Sequence, residues 1–118
     1  MTRPKLLADH DLNESIILGV LRREPTVEFL RARDMGLAAA PDDVLLERAA
    51  SDGLVIILHD VNTMPAAACR RLDEGKLMAG LIMVHQMDPA VAAIDDIVLI
   101  WAATEPEEWV SQICFLPL

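Results

Sequence analysis

What this chain lacks narrows its identity early. It has no tyrosine, and aromatic residues make up only 3% of its 118 residues. Aliphatic side chains must therefore fill the core, which suits a sheet covered on both faces by helices, where Val, Ile, Leu and Ala dominate. Neither lysine nor arginine follows Lys76. Residues 1–36 hold six basic residues against six acidic ones, so the whole net charge of −9 falls beyond residue 36. Proteins that grip nucleic acid nonspecifically carry a basic face, because phosphate neutralisation supplies most of that affinity. The charge distribution counts against a stand-alone nucleic-acid binder. Any such role needs a bound cation, the arginine-containing segment at 22–33, or a basic partner.

Other absences exclude further classes. Cys69 and Cys114 form no CxxC pair and no disulfide framework, and they read as buried thiols in a reducing cytoplasm. Acidic residues interrupt the N-terminal stretch, so it does not read as a secretory leader. The longest apolar run near the C-terminus, Ile97 to Ala103, is too short to span a bilayer, so no membrane partner is expected and the expected location is cytoplasmic. No P-loop, GxGxxG, nucleophile elbow or catalytic Cys/His pattern is present.

What is present is regular. Hydrophobic residues make up 53% of the chain, enough for one well-filled core, and residues 1–118 read as a single domain. Short apolar runs alternate with helical patterns. Lys5 to Ala8 reads as a strand ending at Asp9, followed by a helix capped by Asp11 or Asn13, with Ile16, Ile17, Val20 and Leu21 as its stripe. Val27 to Ala32 reads as a second strand, and Asp34 to Leu37 as a loop in which Gly36 takes positive φ. Pro41 opens a second helix that buries Val44, Leu45, Leu46 and Ala49 and stops at Gly53. Leu54 to Leu58 is the strongest strand, a continuous run typical of a fully buried parallel strand. Thr63 to Glu74, Gly80 to Val84, Pro89 to Ala103 and Gln112 to Leu116 complete a β-α-β-α-β-α-β-α-β order.

That order predicts an α/β fold with right-handed crossovers and a mostly parallel sheet of about five strands, beginning in the order 2-1-3-4. The last strand either extends the sheet or pairs antiparallel at an edge. With strands one and three adjacent, Asp9 and Asp60 meet at the carboxyl edge, where open α/β sheets place their ligands. Carboxylates gathered there repel one another unless a cation neutralises them, and oxygen-only ligands suit Mg²⁺ or Mn²⁺. Asp42 and Asp43 stand where a first helical turn favours anions, which serves either as a dipole partner or as part of that cluster. His10 and His59, beside the two aspartates, read as half-exposed neighbours or as groups that tune the site. They make no zinc site, since no third ligand stands at suitable spacing. Asp95 and Asp96 read as the solvated side of the last helix, and the methionines as core filler.

The segment Leu6-Leu7-Ala8-Asp9-His10-Asp11-Leu12-Asn13 resembles the opening of short PIN-like proteins of unknown function, which are related to VapC-type toxin ribonucleases. The resemblance continues through Asp34-Met35-Gly36-Leu37, Asp42-Asp43-Val44-Leu45 and Val55 to Met64. It runs on through Ile94-Asp95-Asp96-Ile97-Val98-Leu99 to Phe115-Leu116-Pro117-Leu118, so it covers essentially the whole chain. It implies a three-layer, Rossmann-like PIN domain and Mg²⁺- or Mn²⁺-dependent RNA cleavage. Asp9, Asp42 and Asp60 would be the catalytic and metal-holding acids, with His10, Asp11, Asn13, Asp43, His59, Asn62 and Thr63 in supporting or substrate-positioning places. Many PIN-like chains carry an aspartate where Asn62 stands and a glutamate where His10 stands. The resemblance further implies RNA as substrate and an antitoxin protein as partner. The alternative is a PIN-like scaffold without catalysis that serves as a protein-interaction module, which the charge of −9 and the missing carboxylate at Asn62 favour. A homodimer sealed by the apolar Phe115 to Leu118 edge is a further expectation.

Overall fold

The computed structural model describes residues 2–59 and 63–118. In chain order its elements are β1 (Lys5–Ala8), α1 (Glu14–Arg23), β2 (Phe29–Arg31), α2 (Asp42–Asp52), β3 (Leu54–His59), α3 (Thr63–Asp73), β4 (Leu81–Val84), α4 (Ala90–Ala103) and β5 (Ile113–Leu116). Short 3₁₀ turns at Ala32–Met35 and Pro106–Trp109 follow β2 and α4. The sheet order is β2-β1-β3-β4-β5 and every neighbouring pair is parallel. β5 therefore extends the sheet beside β4, which resolves its placement. The result is a three-layer, Rossmann-like α/β domain. No helix among the described residues is long and apolar enough to cross a membrane.

Side chains alternate across the pleat, and this divides the interior in two. Leu6, Ala8, Val55, Ile57, Ile82 and Val84 face α1 and α4, while Leu7, Leu54, Ile56, Leu58, Leu81 and Met83 face α2 and α3. All six residues of β3 are buried, as its uninterrupted apolar run requires. The central strands thus hold their C-terminal ends rigidly, and those ends carry the polar residues.

The placement of α4 departs from the expected handedness. From β3 to β4 the chain moves outward along the sheet over the α2/α3 face, and from β4 to β5 it moves the same way over the α1/α4 face. Those two crossovers therefore have opposite hands, against the strong preference for right-handed connections. Covering explains the exception. A uniform hand would place three helices on one face and leave the ten-residue α1 alone on the other. Division two and two covers both faces of a five-stranded sheet.

Two glycines permit the close contacts this arrangement needs. A Cβ on Gly19 of α1 would lie 2.2 Å from Cδ1 and 2.9 Å from Cγ1 of Ile94 on α4. Gly80, at φ +132°, lets the turn before β4 pass under Trp109, where a Cβ would stand 2.9 Å from the Trp109 carbonyl oxygen. Trp109 in turn donates from its indole to Thr104 Oγ1 at 2.8 Å, and Thr104 Oγ1 donates to the Ile100 carbonyl at 2.6 Å, which closes α4.

Several expectations need correction. The second strand is only Phe29–Arg31, because the Val27 N–H turns back to the Glu24 carbonyl and Ala32 opens the 3₁₀ turn. Val44 is 46% exposed on the outer side of α2, whereas Leu45, Leu46 and Ala49 are buried. Pro41 caps α2 from outside rather than occupying its first turn. Cys69 is exposed and Cys114 half-buried, so neither is a core thiol. Asp95 and Asp96 do lie on the solvated side of α4, where Asp95 pairs with Arg23 of α1 and Asp96 accepts the Leu118 N–H at 3.1 Å.

Candidate functional site

The connection that leaves β1 runs outward to β2 and the one that leaves β3 runs the opposite way to β4, which opens a crevice at the carboxyl ends of β1 and β3. Asp9 sits there. Its N–H donates to the Ile57 carbonyl at 3.0 Å, anchoring it to β3, and its carbonyl accepts the Leu12 N–H at 3.1 Å in a tight turn. The carboxylate is 8% exposed; Oδ1 accepts the His10 N–H at 2.8 Å and lies 3.1 Å from His10 Nδ1. The turn brings Asp11 close to it. Burial, and then the charge of Asp9, push the Asp11 carboxyl above its ordinary value. Asp11 Oδ1 is buried without a hydrogen-bond partner among the described residues.

His59, the last residue of β3, is buried rather than half-exposed. Its Nε2 accepts the backbone N–H of Asn13 at 3.0 Å. A ring nitrogen that accepts cannot carry the proton, so the proton resides on Nδ1, which is buried and unpartnered among the described residues. Asn13 is the N-cap of α1, with its side-chain oxygen accepting from the Ser15 N–H at 3.0 Å. Through these two residues the end of β3 is bonded to the start of α1.

The other side of Asp9 carries Arg31 and Arg33, from the basic segment at 22–33, together with Glu14, which the sequence pattern did not single out. Glu14, in the first turn of α1, accepts from Arg31 Nε at 2.9 and 3.0 Å, and also from Arg31 Nη2. Arg33 Nη2 reaches the same carboxylate at 3.1 Å. This bonding holds the Glu14 carboxyl below its usual range and raises Arg31. Asp9, His10, Glu14, Arg31 and Arg33 together line a recess of about 70 Å³. The available signal was positional: two arginines at i and i+2 close the short β2, on the edge where the acids gather.

The remaining predicted residues are spread along the same side of the molecule. Asp42 is half-buried and Asp43 exposed in the first turn of α2, and Thr63 is exposed at the start of α3. Asp60 and Asn62 lie outside the described residues. Among the described residues no three His, Cys, Asp or Glu side chains stand close enough together to hold a metal ion. Asp9 and Asp11 nonetheless fit a hard divalent cation as two of its ligands, because the unpartnered Asp11 oxygen next to the Asp9 carboxylate offers what such an ion takes up.

A wider concavity lies elsewhere. A groove of about 630 Å³ runs between α2 and α3, past Leu37, Val44, Arg48, Arg70 and Arg71. Arg48 is paired with Asp52 at 2.8 Å, Arg71 with Glu47 at 3.1 Å and with the Leu77 carbonyl, and Lys76 with Glu74 at 3.5 Å. Mutual neutralisation of this kind describes a solvated crease between helices, and size alone does not outweigh the buried carboxylate at the switch point. The chain matches no family model, and comparison with curated proteins and with solved structures gives no significant match.

Proposed function

We propose that this protein is a Mg²⁺- or Mn²⁺-dependent ribonuclease of the PIN-like type, working at the carboxyl edge of β1 and β3. One observation carries the reading. At the switch point a buried Asp9 faces a second carboxylate, Asp11, whose ionisation is opposed by burial and by Asp9 itself. A bound divalent cation relieves that repulsion, lowers the pKa of water and offsets charge on a phosphodiester. Asp9 is the rigid ligand, fixed by its backbone bond to Ile57 and by the His10 N–H. His59 and Asn13 keep α1 and β3 in register so that Asp9 and Asp11 stay at one separation. Asp42 and Asp60 complete the proposed acid set. A role as the toxin of a toxin–antitoxin pair belongs to this reading and predicts a small antitoxin partner.

The test is calorimetric titration of metal-free protein with Mn²⁺, beside Asp9→Asn and Asp60→Asn. Micromolar binding lost in both variants, with loss of RNA cleavage, supports the reading. No binding at millimolar Mn²⁺ removes it. A catalytically inactive interaction module is then the better account, and the charge of −9 together with the lack of a three-donor cluster among the described residues favours it.

A further inference from the structure

The recess beside Asp9 is built from two arginines and one glutamate, and its wiring is specific. Glu14 takes three hydrogen bonds from the Arg31 fork and one from Arg33. Arg31 spends its Nε hydrogen and one Nη2 hydrogen on Glu14, which leaves its Nη1 hydrogens available. Arg33 gives Glu14 only Nη2, which leaves its Nε and Nη1 hydrogens available. An arginine whose side chain is 62% exposed would ordinarily sample many rotamers; the bond to Glu14 restricts that freedom before any ligand arrives. The exposed Arg33–Glu14 pair contributes only about 0–1 kcal/mol to stability.

Size and chemistry set the ligand class. A recess of about 70 Å³ holds several waters and so admits a tetrahedral oxyanion. Guanidinium forks match the oxygens of phosphate. We infer that Arg33 and Arg31, oriented by Glu14, form a phosphate-binding subsite beside Asp9. Its use on an RNA phosphodiester rests on the ribonuclease reading, whereas binding of a phosphate group does not. Glu14 is a positioning residue here, since it acts through the arginines. In a chain that is otherwise strongly acidic, the two arginines offset the Glu14 and Asp9 carboxylates that line the same recess.

The experiment is NMR titration of the full chain with inorganic phosphate, at constant ionic strength set with chloride and in the absence of divalent metal. Saturable shifts at Asp9, Arg31 and Arg33 with millimolar affinity are expected. Arg33→Ala should weaken binding at least tenfold, and Arg31→Lys several-fold because it keeps the charge and loses the fork. Glu14→Gln should weaken binding although it removes a negative charge, an outcome opposite to that of simple charge attraction. Equal affinity in Arg33→Ala, shifts centred on Arg70 and Arg71, or shifts reproduced by chloride would overturn the subsite. Mn²⁺ titration without phosphate separates the two proposals: arginine-dependent phosphate binding without Mn²⁺ binding sustains the subsite while the ribonuclease reading fails.

Discussion

A carboxylate left half-buried beside another carboxylate costs stability, and Asp11 is in that position. Its pKa is raised by burial and by Asp9, so folding favours its protonated form. A group with a raised folded pKa contributes stability below its unfolded pKa and loses that contribution as pH rises through the folded value. Asp11→Asn should therefore raise the unfolding free energy at pH 7, by under about 1 kcal/mol after solvent screening, with a higher urea midpoint, and the gain should vanish near pH 3. The same substitution should weaken Mn²⁺ binding, the usual exchange of stability against function at a site. Urea melts at the two pH values check the first half, and a variant no more stable at pH 7 contradicts it. His59 argues in the other direction. Its Nε2 accepts the Asn13 N–H in a part-buried hydrogen bond, so His59→Ala should cost about 1 kcal/mol from that bond in addition to lost packing, read from the same melts. Asp9 was legible in the sequence because an acid directly after a buried strand has one structural destination. The environment of His59 was not, since its partner lies 46 residues away across a crossover.

The elements followed from periodicity wherever the pattern was long. β3 and the buried stripe of α1 stand where the apolar runs place them, and Gly53 closes α2 at φ +69°. Short or doubly determined segments did not. β2 is three residues long because the Val27 N–H is already used in a turn, and Val44 faces outward although its neighbours Leu45 and Leu46 are buried. The side on which α4 packs was invisible because it depends on how four helices divide between two faces. Local contacts at that division are testable. Gly80→Ala combines an unfavourable φ with a clash against backbone, and should destabilise by more than about 2 kcal/mol. Gly19→Ala meets only Ile94, so helix propensity of about 1 kcal/mol works against an overpacking cost of about 1–3 kcal/mol. Paired with Ile94→Val, which removes Cδ1, Gly19→Ala should recover most of its loss. A double-mutant cycle with no coupling energy would show that α1 and α4 do not pack at this point.

At the scale of the whole molecule, charge and site are linked. The chain carries −9, and self-repulsion of that size opposes the compact state. Sodium chloride should therefore raise the melting temperature gradually, by screening, and should do so equally in the native chain and in Asp9→Asn. A cation held at Asp9 acts differently. It stabilises by mass action, about 2.7 kcal/mol at one hundred times its dissociation constant, and the effect saturates. Melting in Mn²⁺ at an ionic strength matched with sodium chloride separates the two. The native chain should gain an additional, saturable increment, and Asp9→Asn should show the screening effect alone. Equal increments in both proteins would mean that the metal acts only on the diffuse acidic surface. Asp9 would then be a buried carboxylate held by His10 and β3, and the edge of the sheet would have to be read through Arg31 and Arg33 instead.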